Sequence, residues 1–375
     1  MASARRLSTA LMRAKRRDGR SIRAFVLTCK YFFFIRCILN ALKNKSLLFI
    51  NIMNMNSQNQ QQISNKVGYV YDERMLLHFD KGQFEIPDRI VVIYNELKKR
   101  GYLNKMNKIE SAVITKEELM LAHDEKFIDG MFELFTHPEK DIKRALSKMD
   151  SMFGNKDSLL SARVAAGSTL NLMRSVLKGE VRHGVAIVRP PNHHAHKNRP
   201  GGFCFFNGTA IAAKYAIQQG KKVVVVDWDC HCGDGTIDIF QNDKSALVIS
   251  IQRYDHGQFY PGTGKSIESS NILSIPINKI AYDKDYYDIF NNQVMPKIAE
   301  YNPDIICVSA GYDAGINDPL CGFKVTPEGF YNMTKMLLYF NKPTILVLEG
   351  GYNLKTISDS MTECTRALLE DTKLL

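Results

Sequence analysis

Val223-Val224-Val225-Val226-Asp227-Trp228-Asp229-Cys230-His231-Cys232-Gly233-Asp234-Gly235-Thr236 is the stretch on which the reading of this chain turns. An apolar, β-branched run ends abruptly in three acids, one histidine and two glycines. A buried strand carries such chemistry at its end only when something cationic awaits it there. Asp229 and His231 lie two apart, so on extended backbone their side chains point to the same side. A carboxylate and an imidazole held in that way suit a divalent metal of zinc type.

The same pattern repeats outward along the chain. Near-continuous apolar runs predict strands at Gly184–Val188, Lys222–Val226, Ala246–Ile251, Asp304–Ser309 and Thr344–Leu348. Amphipathic segments between them predict helices at Ser161–Lys178, Asn207–Gln219, Lys284–Tyr301, Pro327–Phe340 and Leu354–Leu369. Thr326 followed by Pro327 is an N-cap and first-position pair. Apolar runs of this kind belong to parallel strands covered on both faces. The expectation is one α/β domain, a doubly wound, mainly parallel sheet with helices on both faces. Each predicted strand runs directly into a polar or Gly-rich segment, and open parallel sheets bind ligands beyond the carboxyl ends of their strands. Five such segments therefore converge on one pocket.

A catalytic metal site needs about three protein ligands and an open position. Asp229 and His231 supply two, and the loop after Ser309 offers Asp313 and Asp318 for a third. Asp318 stands before Pro319, between Gly315 and Gly322, where its carboxylate is rigidly presented; an Asp-Pro pair is equally a common turn starter. The tandem His193-His194 supplies imidazoles that titrate near neutrality. Asp227 and Asp234 are placed to orient those rings, while His196 reads as a solvated third histidine. Tyr352, after Gly350-Gly351, can donate to a developing oxyanion or stand as a rim aromatic.

Charge excludes one class of partner. The net charge is +11, and residues 1–65 alone hold twelve Lys and Arg against the single acid Asp18. What remains is 38 basic and 38 acidic residues, a neutral body with no basic groove for nucleic acid. Residues 1–65 read as a basic extension ending in an Asn/Gln-rich linker, and 66–375 as the catalytic domain. The extension has the Arg-rich, acid-poor composition of an organelle presequence, or is dispensable, with Met53 or Met55 as alternative starts. Lys30, Arg36, Lys43 and Lys45 interrupt its apolar part, so no membrane span is expected. Eight scattered cysteines without disulfide-type spacing suit a reducing compartment.

Taken together these residues resemble the zinc-dependent histone deacetylase family of the arginase/deacetylase fold, with class II as the nearer branch. The likeness runs from about Val67 to Leu375. It rests on Arg189-Pro190-Pro191 before His193-His194-Ala195, Gly202-Phe203-Cys204-Phe205-Phe206-Asn207, Val226 to His231, Arg253 to Gly257, Asp318-Pro319-Leu320 and Glu349 to Leu354. The resemblance implies Asp229, His231 and Asp318 as zinc ligands, and His194 as general base and then acid. It implies His193 as an electrostatic partner, with Asp227 and Asp234 behind the histidine pair, and Tyr352 as the group polarising the acyl carbonyl. Phe203 and Tyr260 would wall a lysine channel with Gly202 at its floor, Leu320 would stand at its gate, and Ser151 would accept the substrate's amide N–H. Potassium is implied near Asp227, Asp229, His231 and Ser250.

Five departures from the family pattern stand out: Asn192 and Cys232 for Gly and His, Tyr260 for Phe, Asp234 where class II has Asn, and Gln83-Phe84-Glu85 where His-Pro-Glu is usual. Asn192 is expected to crowd its turn and Cys232 to loosen the packing behind the site. The implied substrate is an acetylated histone or other protein, with corepressor-type partners and a nuclear or cytoplasmic location, mitochondrial if the extension is a presequence. The alternatives are an acetylpolyamine deacetylase and a catalytically weak acetyl-lysine-binding module.

Overall fold

The computed structural model describes residues 67–371. The basic extension and the expected boundary at residue 65 lie outside the described residues, as do Cys29 and Cys37. Nine strands form one sheet: β1 (Val67–Val70), β2 (Met106–Lys108), β3 (His183–Ala186), β4 (Val223–Asp227), β5 (Ala246–Arg253), β6 (Ile267–Glu268), β7 (Ile272–Ile277), β8 (Ile305–Ala310) and β9 (Thr344–Leu348). Their order is β2-β1-β3-β9-β8-β4-β5-β7-β6, and every pairing is parallel except β6 with β7. The five strands expected from the sequence, β3, β9, β8, β4 and β5, are the five consecutive central ones.

The helices are α1 (Asp88–Lys99), α2 (Lys116–Leu119), α3 (Glu125–Leu134), α4 (Glu139–Leu146), α5 (Ser158–Leu177), α6 (Gly208–Gln218), α7 (Asp234–Phe240), α8 (Asp283–Ile289), α9 (Met295–Tyr301), α10 (Pro327–Leu338) and α11 (Leu354–Asp371). Val223 to Val226 are wholly buried although consecutive side chains point to opposite faces, so both faces of the sheet are covered. Packing of α5 on α6, and of α1 and α10 on α11, supplies that cover. Asp227 ends β4 in register with Ser250 of β5 and Ser309 of β8, which puts the acid cluster at the carboxyl edge of the central strands.

Two departures from the expected elements have local causes. The helix expected over Lys284–Tyr301 breaks into α8, a π turn (Phe290–Val294) and α9. Pro296, with no N–H to give, stands where the regular ladder would need one, and the hydrogen bonding slips by a residue. Strand β7 contains Pro276, a residue that argues against a central strand. It pairs inward with β5 over its whole length, but outward with β6 only at Leu273 and Ser274, so the missing donor faces no outer partner. The predicted cap of α10 is present, with Thr326 Oγ1 accepting the Gly329 N–H at 3.1 Å.

Candidate active site

Segments following β4, β8 and β9 bring one acidic cluster together. Ligating atoms of Asp229, Cys230, His231 and Asp313 lie within 4.8 Å of one another. His231 Nδ1 is 2.9 Å from Asp313 Oδ2 and 3.1 Å from Asp229 Oδ1. Asp229 is fully buried and also accepts the Gly350 N–H at 2.8 Å. Asp318 stands beside this group, its carboxylate accepting backbone N–H groups of Tyr352 at 2.7 Å and Leu320 at 2.9 Å. Burial, and then the Asp313 charge, push the Asp318 carboxyl up to about 7.

Two glycines make the cluster sterically attainable. A Cβ at Gly311 would sit 2.0 Å from Asp229 Oδ2, and one at Gly350 would sit 2.3 Å from Asp313 Oδ2 and 2.7 Å from Asp229 Oδ2. Three buried carboxylates and one imidazole with no lysine or arginine among them form an oxygen and nitrogen donor set that fits a zinc-type cation. The residues able to hold it are Asp229 and His231 with either Asp318 or Asp313.

The two tandem histidines face different partners. His193 Nδ1 lies 2.9 Å from Asp227 Oδ2, and its Nε2 lies 3.8 Å from Asp229 Oδ1. Burial by itself would depress the His193 imidazolium, but Asp227 and Asp229 outweigh it and hold the ring well above its ordinary range. His194 Nδ1 lies 2.7 Å from Asp234 Oδ1. There burial, reinforced by the charge on His193, wins and pushes His194 down to about 4. Neighbouring rings are thus pushed in opposite directions, His193 up and His194 down.

Two expectations, on His196 and Cys232, need correcting. His196 is not solvated: it is buried, with Nε2 3.1 Å from Asp234 Oδ2 and Nδ1 3.2 Å from Asp238 Oδ2. Asp234 stands behind His194 and reaches His196 as well, while Asp227 stands behind His193. Asn192 is buried in its turn with its side-chain Oδ1 accepting the Thr209 N–H at the start of α6 at 3.0 Å, while its Nδ2 finds no hydrogen-bond partner among the described residues. Cys232 is buried, and a Cβ at Gly264 would come within 2.9 Å of its Cβ, so close packing rather than looseness surrounds it.

A pocket of about 210 Å³ opens onto these groups. His193, His194, His231 and Tyr352 line it together with Ser151, Gly202, Phe203, Tyr260 and Leu320, so every residue expected of the channel is there. Gly202 has φ +51, and a Cβ there would meet His194 Cδ2 at 2.4 Å; only glycine admits the imidazole. Tyr260 meets His194 edge-on with centroids 5.3 Å apart, and Phe203 meets Tyr352 edge-on at 6.1 Å. Phe259, given no role in the sequence reading, stacks on His231 at 5.1 Å with an 18° interplanar angle. Burial raises the Tyr352 phenol well above its usual value, so it remains a donor at neutral pH.

Beneath the pocket lies a buried charge network that the sequence reading left without a role. Glu85 sits between two guanidiniums, 2.7 Å from Arg89 Nη1 and 2.6 Å from Arg189 Nη2, all three fully buried. Arg89 Nε donates to Gly351 O at 2.6 Å, and its Nη2 donates to Glu349 O. The Arg89 guanidinium also lies 5.1 Å from the Tyr352 ring centroid. Glu349 Oε2 accepts the N–H groups of Asn192 at 2.7 Å and His193 at 3.1 Å. Glu85 and Glu349 both stood in quoted motifs. What was missing was their spatial neighbour, more than a hundred residues away in the chain.

Comparison with known proteins bears on this geometry. The family described as histone deacetylase domain matches residues 83–368. Histone deacetylase 18 of Arabidopsis thaliana is 38% identical over 331 residues, covering 82% of this chain and 48% of that protein. Histone deacetylase clr3 of Schizosaccharomyces pombe is 34% identical, covering 85% and 50%. Polyamine deacetylase HDAC10 of Danio rerio is 33% identical, covering 80% and 47%. The chain thus spans about half the length of these relatives. The crystal structure of the HDA15 HD domain superposes with a TM-score of 0.75 at 37% identity, covering 82% of this chain and 89% of that one.

Proposed function

From the chain's membership of the histone deacetylase family, and from its arginase/deacetylase fold, we propose that it hydrolyses acetyl-lysine amides of histones or other proteins with zinc as cofactor. The observation that carries this reading is His194, its Nδ1 2.7 Å from Asp234 Oδ1, lining the same pocket as His231 and Tyr352. Asp229, His231 and Asp318 would hold the zinc, with Asp313 orienting the His231 ring. A bound zinc ion supplies Lewis-acid polarisation of the acyl carbonyl and a more acidic water. Potassium near Asp227, Asp229, His231 and Ser250 belongs to the same proposal.

The side chains account for the remaining chemistry. With Nδ1–H given to Asp234, His194 keeps Nε2 free to take a proton from the attacking water. His193 beside it, held well above its ordinary range by Asp227 and Asp229, stabilises negative charge developing in the pocket. Tyr352 O–H donates to the acyl oxygen as that oxygen becomes an oxyanion. His194 then returns its proton to the departing lysine amine, and acetate is the second product. Phe203, Phe259 and Tyr260 exclude water and accommodate an apolar lysine stem. Ser151 at the mouth accepts the substrate's backbone N–H.

A polyamine substrate is the second reading, and one relative bears that name. Leu320 at the gate and a pocket lining without Asp or Glu favour a neutral acyl-lysine over a polycation. Nuclear or cytoplasmic residence and corepressor-type partners accompany the protein-deacetylase reading. Among the described residues no helix is long and apolar enough to cross a membrane. The deciding experiment offers an acetyl-lysine peptide and an acetylated polyamine to a protein beginning at Lys66, with and without zinc and a hydroxamate. Zinc-dependent, hydroxamate-sensitive turnover of the peptide is expected. Preference for the polyamine would select the second reading, and zinc binding without turnover of either would select the binding module.

A further inference from the structure

A second concavity, about 510 Å³, opens beside the pocket between α3, α4 and residues 198–200. Met131 is buried in it; Phe127, Leu134 and Met149 are half-buried along it, and Lys126 and Arg199 are exposed at its lip. Two observations mark it as a binding surface. The first is its continuity with the pocket. Asp150 lines the groove while Ser151 lines the pocket, and Pro200 lines the groove while Gly202 lines the pocket. The Gly202 N–H donates to Asp150 O, and the Phe203 N–H to Ser151 O, each at 3.1 Å, so one hydrogen-bonded ridge serves both.

The second is Gly130. Phe127, Gly130 and Leu134 are spaced three and four apart on α3 and form one stripe facing the groove. Glycine weakens a helix interior relative to alanine. Yet a Cβ at Gly130 would meet nothing within 4 Å. The chain's own packing does not require glycine there, and the space above it is open to an occupant from outside.

Resting on the deacetylase reading, we infer that this groove binds the polypeptide flanking the acyl-lysine, taking one apolar side chain such as Leu, Met or Phe. The occupant is a peptide and not a polyamine. A cationic amine would meet Lys126 and Arg199, and the one carboxylate in the lining, Asp150, already accepts the Ser151 hydroxyl at 3.0 Å. The groove thus sets which lysines are chosen, while the pocket sets the chemistry.

The test compares kcat/KM for peptides with one acetyl-lysine and a Leu or Phe moved residue by residue along either flank. The references are the glycine-flanked peptide and acetyl-lysine amide alone. Burying one such side chain is expected to raise kcat/KM roughly tenfold at a defined flank position. Gly130→Leu, which fills the open volume, is expected to erase that gain, and the helix-favouring Gly130→Ala to reduce it. Indifference to every flank position, or a gain that survives Gly130→Leu, would overturn the proposal. A concentration-dependent dimer that Gly130→Leu dissolves, without flank preference, would overturn it in favour of a second copy. Should no substrate be turned over, the deacetylase reading fails, and fluorescence anisotropy with the same labelled peptides still decides the groove. Tenfold tighter binding of the apolar-flanked peptide, lost in Gly130→Leu, supports it, and equal binding refutes it.

Discussion

His231 Nδ1 faces two carboxylates, at 2.9 Å for Asp313 and 3.1 Å for Asp229, and the metal chemistry depends on which neighbours ligate and which orient. If Asp318 is the ligand and Asp313 the orienting group, Asp313→Asn should weaken zinc binding ~10–100-fold, the usual cost of removing a group that orients a ligand. Asp318→Asn should weaken it further still. Competition against a chelator of known affinity measures both, and the reverse ranking would exchange the two roles. Tyr352 has a separate signature. Tyr352→Phe removes one oxyanion donor and should lower kcat by ~10²–10³ while zinc stoichiometry stays at the wild-type value. A kcat within a few-fold of wild type would remove Tyr352 from the mechanism. At this scale residue spacing barely separated the candidates and only the resemblance singled out Asp318, since Asp313 and Asp318 occupy one loop and differ only in where the loop turns.

Strand ends do the assembling at the scale of elements. Residues just past β4, β8 and β9 approach so closely that Gly311 and Gly350 leave no room for a methyl group against Asp229. Gly311→Ala is expected to displace the Asp229 carboxylate and abolish stoichiometric zinc binding while the far-ultraviolet circular dichroism stays as in wild type. Normal zinc content in that variant would show that the strand end can yield. The five central strands were legible because buried parallel strands leave unbroken apolar runs. The outer strands β1, β2, β6 and β7 were not: the first three are only two to four residues long, and Pro276 disguises β7. The π turn at Phe290–Val294 escaped for a different reason: an amphipathic pattern registers which residues are apolar, and Pro296 acts on backbone donors alone.

For the whole molecule, the buried charges under the pocket tie folding to pH. Burial alone would raise the Glu85 carboxyl, but Arg189 and Arg89 outweigh it and hold it at about 2, against an ordinary 4.5. That stabilisation is complete above about 4.5 and lost as the pH falls toward 2. His78, 3.5 Å from Glu85 and held neutral down to about 3 by burial, acts in the same direction below 6.5, because only the unfolded chain takes up its proton there. Glu85→Gln leaves two guanidiniums without their counter-charge and should cost ~3–5 kcal/mol at neutral pH. Urea unfolding across pH checks the assignment. The gap between wild type and variant should narrow below about pH 4.5, and a gap independent of pH would contradict the charge placed on Glu85.

By itself the sequence determined the layered α/β architecture, the central strands and the residue types gathered at their ends, because apolar periodicity and strand-end chemistry are local properties of a chain. Tertiary structure alone decided that His193 is pushed up and His194 down, that Asp234 serves two histidines, and that Glu85 and Glu349 underlie the site. Each of those outcomes is a balance of desolvation against charges brought close from distant segments. Nothing in the spacing of residues along the chain encodes that balance.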